Sequence, residues 1–237
     1  MTTKAARKRA RNAEAAPAPP DTLIDRIARC IAPLAAAVLF VTAWIDPARL
    51  SRETIHSLRA TMVVEFLAIH SGAFLCFLLI RASKDSRKMV SSLLLMVPLF
   101  LIYVGAAWNI QKQVHAWWPL LAAAWLLGGR VAPLFIGDAE RQRAAITRVV
   151  AEWACALAVF IGSSAIVQNA GLPLGALATL DPASFPIAGW KSSLSVPQEI
   201  QWGALHFAAL TVFAWLVPFE RVGMAVKRAF ENAPPGD

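Results

Sequence analysis

The 237-residue chain is poor in charge and in cysteine, and it lacks common catalytic motifs. Asp, Glu, Lys and Arg occupy 16% of positions, whereas a typical soluble domain has about 25%. Its three cysteines are too few to stabilise a chain of this length as a disulfide scaffold. It has no P-loop, no dinucleotide-binding glycine motif and no HExxH, CxxC or GxSxG sequence, so no motif indicates an enzyme class.

Apolar residues are abundant instead. The residue types AVILMFWYC make up 57% of the sequence, and its mean hydropathy is +0.53. Soluble domains have about 45–50% apolar residues, and intrinsically disordered chains have fewer. The composition therefore indicates a membrane protein.

Six stretches are long and apolar enough to be transmembrane helices, which need about 20 such residues. They cover residues 24–45, 60–80, 89–110, 115–136, 149–167 and 200–219. The sequence therefore predicts an all-α, polytopic integral membrane bundle of about six transmembrane helices within residues 21–225.

The remaining segments are predicted to lie outside these spans. Residues 1–20 are a predicted disordered, basic cytoplasmic arm, and residues 226–237 are a predicted cytoplasmic tail. The longest loop, 169–199, is rich in Leu and Pro. We expect it to be an outer interfacial or re-entrant segment, with a solvated loop as the alternative.

The basic residues predict the orientation of the spans, because cytoplasmic loops of membrane proteins are enriched in Lys and Arg. The side that holds both termini carries 18 of the 23 Lys and Arg residues. The other side has only Arg49, Arg52, Arg59, Lys112 and Lys191. Both termini are therefore predicted to be cytoplasmic, in a bacterial cytoplasmic (inner) membrane.

Tryptophans provide a second indication of orientation, since aromatic belts form at membrane interfaces. In this topology the outer ends of the spans carry Trp44, Trp108, Trp117, Trp118 and Trp202. The net charge of +8 would also suit a polyanion, but a basic arm before a first span is explained by attraction to anionic lipid. We expect the partners to be the lipid bilayer and other membrane protein subunits, and not nucleic acid.

Ionisable residues inside the spans are the candidates for function, because charge in hydrocarbon is costly and such residues face the bundle interior. Glu65 and His70 lie in the second span and His206 in the sixth. At about 1.5 Å per residue, Glu65 and His206 reach similar depths and are able to meet, while His70 lies nearer the midplane. These three residues form the candidate intramembrane polar site. No catalytic residue, metal ligand or cofactor is assigned.

Three hypotheses compete for this site. In the first, a hydrogen bond between Glu65 and His206 fixes the helix register. In the second, the three residues line an outward cavity where protonation accompanies transport, since histidine titrates near neutral pH. In the third, His70 and His206 ligate haem, or bind a metal together with Glu65.

A second polar pair is predicted on the inner side. Arg130 near the end of the fourth span and Glu152 near the start of the fifth lie at similar depth, so we expect an inner ion pair that joins the two spans. Alternatively, Arg130 extends to the cytoplasmic headgroups.

The favoured function is an accessory or scaffold subunit of a membrane complex. The alternatives are, in order, a small proton-coupled transporter or channel-like protein, a quinone- or haem-binding electron-transfer subunit, and an intramembrane enzyme acting on lipid. The ionisable residues are too few for an enzyme assignment.

Overall fold

A computed structural model of the chain describes residues 23–82, 98, 101–102, 104–113, 139–180, 185–187 and 193–217. Within these ranges the chain forms α-helices, short 3-10 turns and loops, and no β-strand. The predicted all-helical fold is confirmed for this part of the chain. The predictions for the basic arm 1–20, the fourth span 115–136 and the tail 226–237 lie outside the described residues.

Four α-helices have defined bounds: α1 Leu23–Ile45, α2 Arg52–Ala82, α3 Ala139–Asn169 and α4 Val196–Leu216. They coincide with the first, second, fifth and sixth predicted spans. Residues 104–113, which overlap the end of the third predicted span, are also helical. Helices α2, α3 and α4 begin earlier than the apolar stretches do, because helical hydrogen bonding continues through the polar residues beside an apolar run.

Two of these helices contain segments long and apolar enough to cross a membrane. They are Arg26–Ile45 in α1 and Ile146–Asn169 in α3, and each reaches the length of about 20 residues that a bilayer requires. Much of α1 is exposed apolar surface, including Ile24, Ile31 and Val38. Exposed aliphatic side chains along a whole helix suit contact with lipid.

Helices α1 and α4 pack closely and run in opposite directions. Cys30, early in α1, donates a weak hydrogen bond from Sγ to the carbonyl oxygen of Thr211, late in α4, at 3.7 Å. Further along α1, the fully buried ring of Phe40 stacks on Phe207 with centroids 5.5 Å apart. A Cβ added to Gly203 would overlap the Phe40 ring, so the glycine permits this close approach.

Helix α2 runs antiparallel to α3 and parallel to α4. Phe66 lies against Phe160, and the Trp153 indole donates to the Ile69 carbonyl at 2.6 Å, so residue numbers rise along α2 as they fall along α3. In the contacts between α2 and α4, described below, residue numbers rise along both helices, so these two helices are parallel. Helices α1 and α3 therefore run one way and α2 and α4 the other, as successive spans of a membrane chain do.

The segment after α3 packs over the end of this helix bundle. Gly171 and Gly175 adopt φ of 56°, a left-handed conformation that favours glycine, and a 3-10 turn covers Gly175–Thr179. Within this turn Leu177 is fully buried, and Phe185 is buried further along. The loop is therefore packed against the helices through Leu177 and Phe185.

A capping box then starts α4. Ser195 accepts a hydrogen bond from the Gln198 backbone N–H, and the Ser195 backbone N–H donates to the Gln198 side chain. These two bonds satisfy the backbone N–H groups of Ser195 and Gln198, which have no acceptor within the helix at its first turn. Helix α4 therefore begins at Val196, and the predicted loop ends there and not at residue 199.

Candidate functional site

The structure brings Glu65 of α2 and His206 of α4 together in the bundle interior. Nε2 of His206 lies 3.4 Å from Oε1 of Glu65, and the two residues are 0% and 6% exposed, respectively. Nδ1 of His206 is buried and has no hydrogen-bond partner within the described part of the chain. The pair therefore joins α2 and α4 through a buried polar contact.

Aromatic rings surround His206. Phe160 of α3 packs edge-on to the imidazole at 5.5 Å, with an angle of 88° between the rings, and Phe207 packs at 5.0 Å. Phe160 also packs edge-on to the indole of Trp202 at 4.5 Å. The imidazole is therefore held between three helices by aromatic contacts as well as by Glu65.

His70, the third residue of the candidate site, is placed differently. It is exposed, its ring lies 3.9 Å from that of Phe66, and its Nδ1 is 2.7 Å from the Phe66 carbonyl oxygen. Its ring packs edge-on to Phe160 at 6.3 Å. His70 and His206 thus share the Phe160 ring as a neighbour, and the described contacts join only Glu65 and His206 directly.

The described residues contain no group of three or more His, Cys, Asp and Glu side chains that could hold a metal ion. The two histidines proposed as haem ligands both pack edge-on to Phe160, so its ring competes for the space next to each imidazole. Haem binding stays a hypothesis. An absorption band in the Soret region of the purified protein, weakened by His70→Ala, would support it.

A second buried polar pair lies nearer the loop end of the bundle. Nε of Arg59 in α2 is 2.5 Å from Oε2 of Glu199 in α4, with the side chains 10% and 2% exposed. The Arg59 guanidinium also donates to the carbonyl oxygen of Phe185. One buried cation therefore connects two helices and the loop that covers them.

The sequence analysis placed Arg59 and Glu199 in outer loops, so it missed this pair. A signal was present in the spacing. Arg59 precedes Glu65 by six positions and Glu199 precedes His206 by seven, which are similar distances along a helix axis at about 1.5 Å per residue. On parallel helices, such similar axial separations allow both polar contacts to form.

Further contacts hold the loop against α2. Nε2 of His56 lies 2.8 Å from the Pro186 carbonyl oxygen, and the Arg52 guanidinium lies 5.7 Å from the centre of the Phe185 ring. Phe185 is thus contacted by Arg52 at its ring and by Arg59 at its carbonyl group. The described residues 185–187 are therefore anchored by basic side chains of a single helix.

Trp202 differs from its predicted role in an interfacial belt. It is 5% exposed and lies inside the bundle, where its indole N–H donates to the Ser163 hydroxyl at 3.1 Å and to the Phe160 carbonyl oxygen at 3.3 Å. A buried indole needs an acceptor for its N–H, and α3 provides two. Beside it, buried Gln201 donates to the Pro173 carbonyl oxygen at 2.9 Å.

Only one member of the predicted inner ion pair, Glu152, lies within the described residues. Glu152 lies 2.9 Å from Nε of Arg148, four positions earlier in α3. Arg130 lies outside the described residues. The pairing of Arg130 with Glu152 therefore stays a prediction, and Arg148 is the partner of Glu152 that sequence reasoning missed.

Comparison with known proteins gives no match: no family model, curated protein or solved structure is significantly similar to the chain.

Proposed function

We propose that the chain is a multi-pass integral membrane protein that serves as an accessory or scaffold subunit of a larger complex. The proposed topology has about six transmembrane helices with both termini cytoplasmic, in a bacterial inner membrane. The alternating helix directions and the two membrane-length segments support this topology. The excess of Lys and Arg on the side of the termini supports the orientation.

The observation that carries the functional proposal is the closed polar interior of the bundle. Glu65, Gln201 and His206 are buried, and each contacts a neighbouring helix or a loop carbonyl group. The Arg59–Glu199 pair is likewise enclosed by two helices and the loop. A transport path requires polar groups that a solute can reach, so enclosed and mutually bonded groups favour a structural role.

The exposed surface of α1 offers a site for a partner subunit. Large apolar residues recur along it at alternating spacings of three and four, which is the pattern of a helix–helix seam. This stripe consists of Ile24, Ile27, Ile31, Leu34, Val38, Val41 and Ile45, all exposed. In a complex, a transmembrane helix of another subunit would cover the later half of this stripe, Val38, Val41 and Ile45.

Extraction in a mild detergent, followed by sizing and mass spectrometry, tests the subunit proposal. The wild-type chain should elute with other membrane proteins at constant stoichiometry. Val38→Ala with Ile45→Ala should release the partner while the chain stays folded. Ile161→Ala with Ile166→Ala, on comparably exposed positions of α3, serves as the control and should retain it. A wild-type chain that elutes alone would contradict the proposal.

The orientation is tested separately with reporters fused to the C-terminus. A fluorescent protein that folds only in the cytoplasm should fluoresce, and alkaline phosphatase, which is active only outside the cytoplasm, should be inactive. The opposite pattern would reverse the proposed topology without affecting the subunit proposal.

One observation favours the transporter alternative. Nδ1 of His206 is buried without a partner in the described residues, next to Glu65, so the pair has room for an additional proton. If protons cross the protein here, liposomes containing it should acidify under an imposed pH gradient, and Glu65→Gln should abolish this flux. Glu53→Gln, at an exposed position of the same helix, is the control. Wild-type liposomes as proton-tight as empty ones would reject this alternative.

A further inference from the structure

An apolar groove runs between the first turns of α1 and the last turns of α4. It has a volume of about 460 Å³, within the size range of small-molecule sites. Its walls are formed by Ile27, Ile31, Leu34, Val212, Trp215 and Leu216. All six are at least partly open to the surroundings, so the groove is accessible from the outside of the bundle.

The hydroxyl and thiol groups that line the groove are engaged within the protein. The Thr211 hydroxyl donates to the Phe207 carbonyl oxygen at 2.8 Å, and Cys30 Sγ donates to the Thr211 carbonyl oxygen at 3.7 Å. The groove therefore presents a mainly hydrocarbon surface to an occupant. A hydrocarbon chain fits this surface, whereas a polar ligand would lose its hydration without compensation.

A basic residue, Arg26, directly precedes Ile27, the first groove residue of α1. Arg26 is exposed, and it precedes Cys30 by four positions, so both lie on one face of α1. Trp215, half-exposed at the other wall, is a residue type that favours the headgroup level of a membrane. An apolar groove with an indole in its wall and a basic residue on the adjoining turn of α1 complements a lipid that has an anionic headgroup.

We propose that this groove binds an anionic phospholipid, with one acyl chain between α1 and α4 and the headgroup phosphate beside Arg26. The proposal rests on the membrane placement given under Proposed function. A whole transmembrane helix, about 10 Å across with its side chains, is a poorer occupant, because α1 and α4 are already in contact along the groove floor.

The first experiment measures lipid retention. The protein is reconstituted into nanodiscs of equal parts phosphatidylglycerol and phosphatidylcholine, extracted again in mild detergent, and its bound lipid is quantified by mass spectrometry. Wild-type protein should retain phosphatidylglycerol in preference to phosphatidylcholine. Ile31→Trp fills the groove and should remove the retained lipid. Ile161→Trp, at a position 59% exposed compared with 61% for Ile31, should not.

The second experiment tests the headgroup. Arg26→Gln should lower the preference for phosphatidylglycerol about five-fold, the equivalent of about 1 kcal/mol for one basic side chain near anionic lipid. In addition, phosphatidylglycerol with brominated acyl chains should quench tryptophan fluorescence. Quenching by lipid bound in the groove should saturate at low lipid content, and Trp215→Phe should remove this saturable component.

Several outcomes would overturn the proposal. Equal lipid retention by the Ile31→Trp and Ile161→Trp variants would show that the lipid is not in the groove. An unchanged preference in Arg26→Gln would show that Arg26 does not select the headgroup. Groove-dependent lipid retention by a chain that elutes without protein partners would contradict the subunit proposal and leave this one standing. A chain absent from the membrane fraction would contradict both.

Discussion

Replacing Glu199 with glutamine removes the negative charge from a buried ion pair while preserving the size of the side chain. The Arg59 guanidinium would then remain buried between α2 and α4 without an anion at 2.5 Å. Breaking a buried pair in this way costs about 3–5 kcal/mol, because one charge stays desolvated without compensation. The hydrogen bond from Arg59 to the Phe185 carbonyl group would persist and does not offset this loss.

The expected loss corresponds to a large change in thermal stability. Each kcal/mol shifts the melting temperature of a domain of 150–250 residues by about 2–4 °C, so Glu199→Gln should lower it by roughly 6–20 °C. The double variant Arg59→Met with Glu199→Met should lose less than this. It replaces both charges with apolar groups, which is often close to neutral at a buried site.

Thermal unfolding in detergent micelles, followed by tryptophan fluorescence, measures both effects. Asp46→Asn is the control, because its pair with Arg49 has a similar distance, 2.9 Å, but side chains 43% and 77% exposed. Such a pair contributes about 0–1 kcal/mol, so this control should shift the melting temperature by less than about 4 °C. A shift for Glu199→Gln no larger than for Asp46→Asn, or a double variant at least as unstable as Glu199→Gln, would refute the reasoning.

Two further predictions follow from the packing and from the inner polar pair. Gly203→Ala should destabilise the protein by about 1–3 kcal/mol through overpacking against a buried ring, whereas Gly162→Ala, where a Cβ meets nothing within 4 Å, should be neutral or stabilising; equal effects in thermal unfolding would contradict the close approach of α1 and α4. A double-mutant cycle on Arg130 and Glu152 tests the predicted inner ion pair, since coupling above about 0.5 kcal/mol supports it and additive losses contradict it.

The contact between Glu65 and His206 was anticipated as possible from the sequence because two ionisable residues fall at similar depths in spans of the same direction. Burying an ionisable group without a partner is costly, so each restricts where the other can lie. The same depth argument separated His70 from this pair, and among the described residues His70 and His206 share Phe160 as a neighbour.

Other contacts could not be predicted from the depth of residues along the spans. Arg148 lies one helical turn before Glu152, and Arg130 lies at a similar predicted depth in the preceding span. The sequence does not show which of the two arginines Glu152 contacts, and the structure pairs it with Arg148. Trp202 was expected at the membrane interface because its position along the span is near the end. In the structure, its direction around the α4 axis points the indole into the bundle, where its N–H donates to acceptors in α3.

The sequence by itself determined that the described chain is helical and where its apolar segments lie, because both depend on residues that are neighbours along the chain. Only the tertiary structure decided which faces of the helices meet. Successive residues turn by about 100° around a helix, so a change of one position in rotation or register exchanges one set of contacts for another. The pairing of Arg59 with Glu199, the packing of Gly203 on Phe40 and the groove between α1 and α4 all depend on that choice.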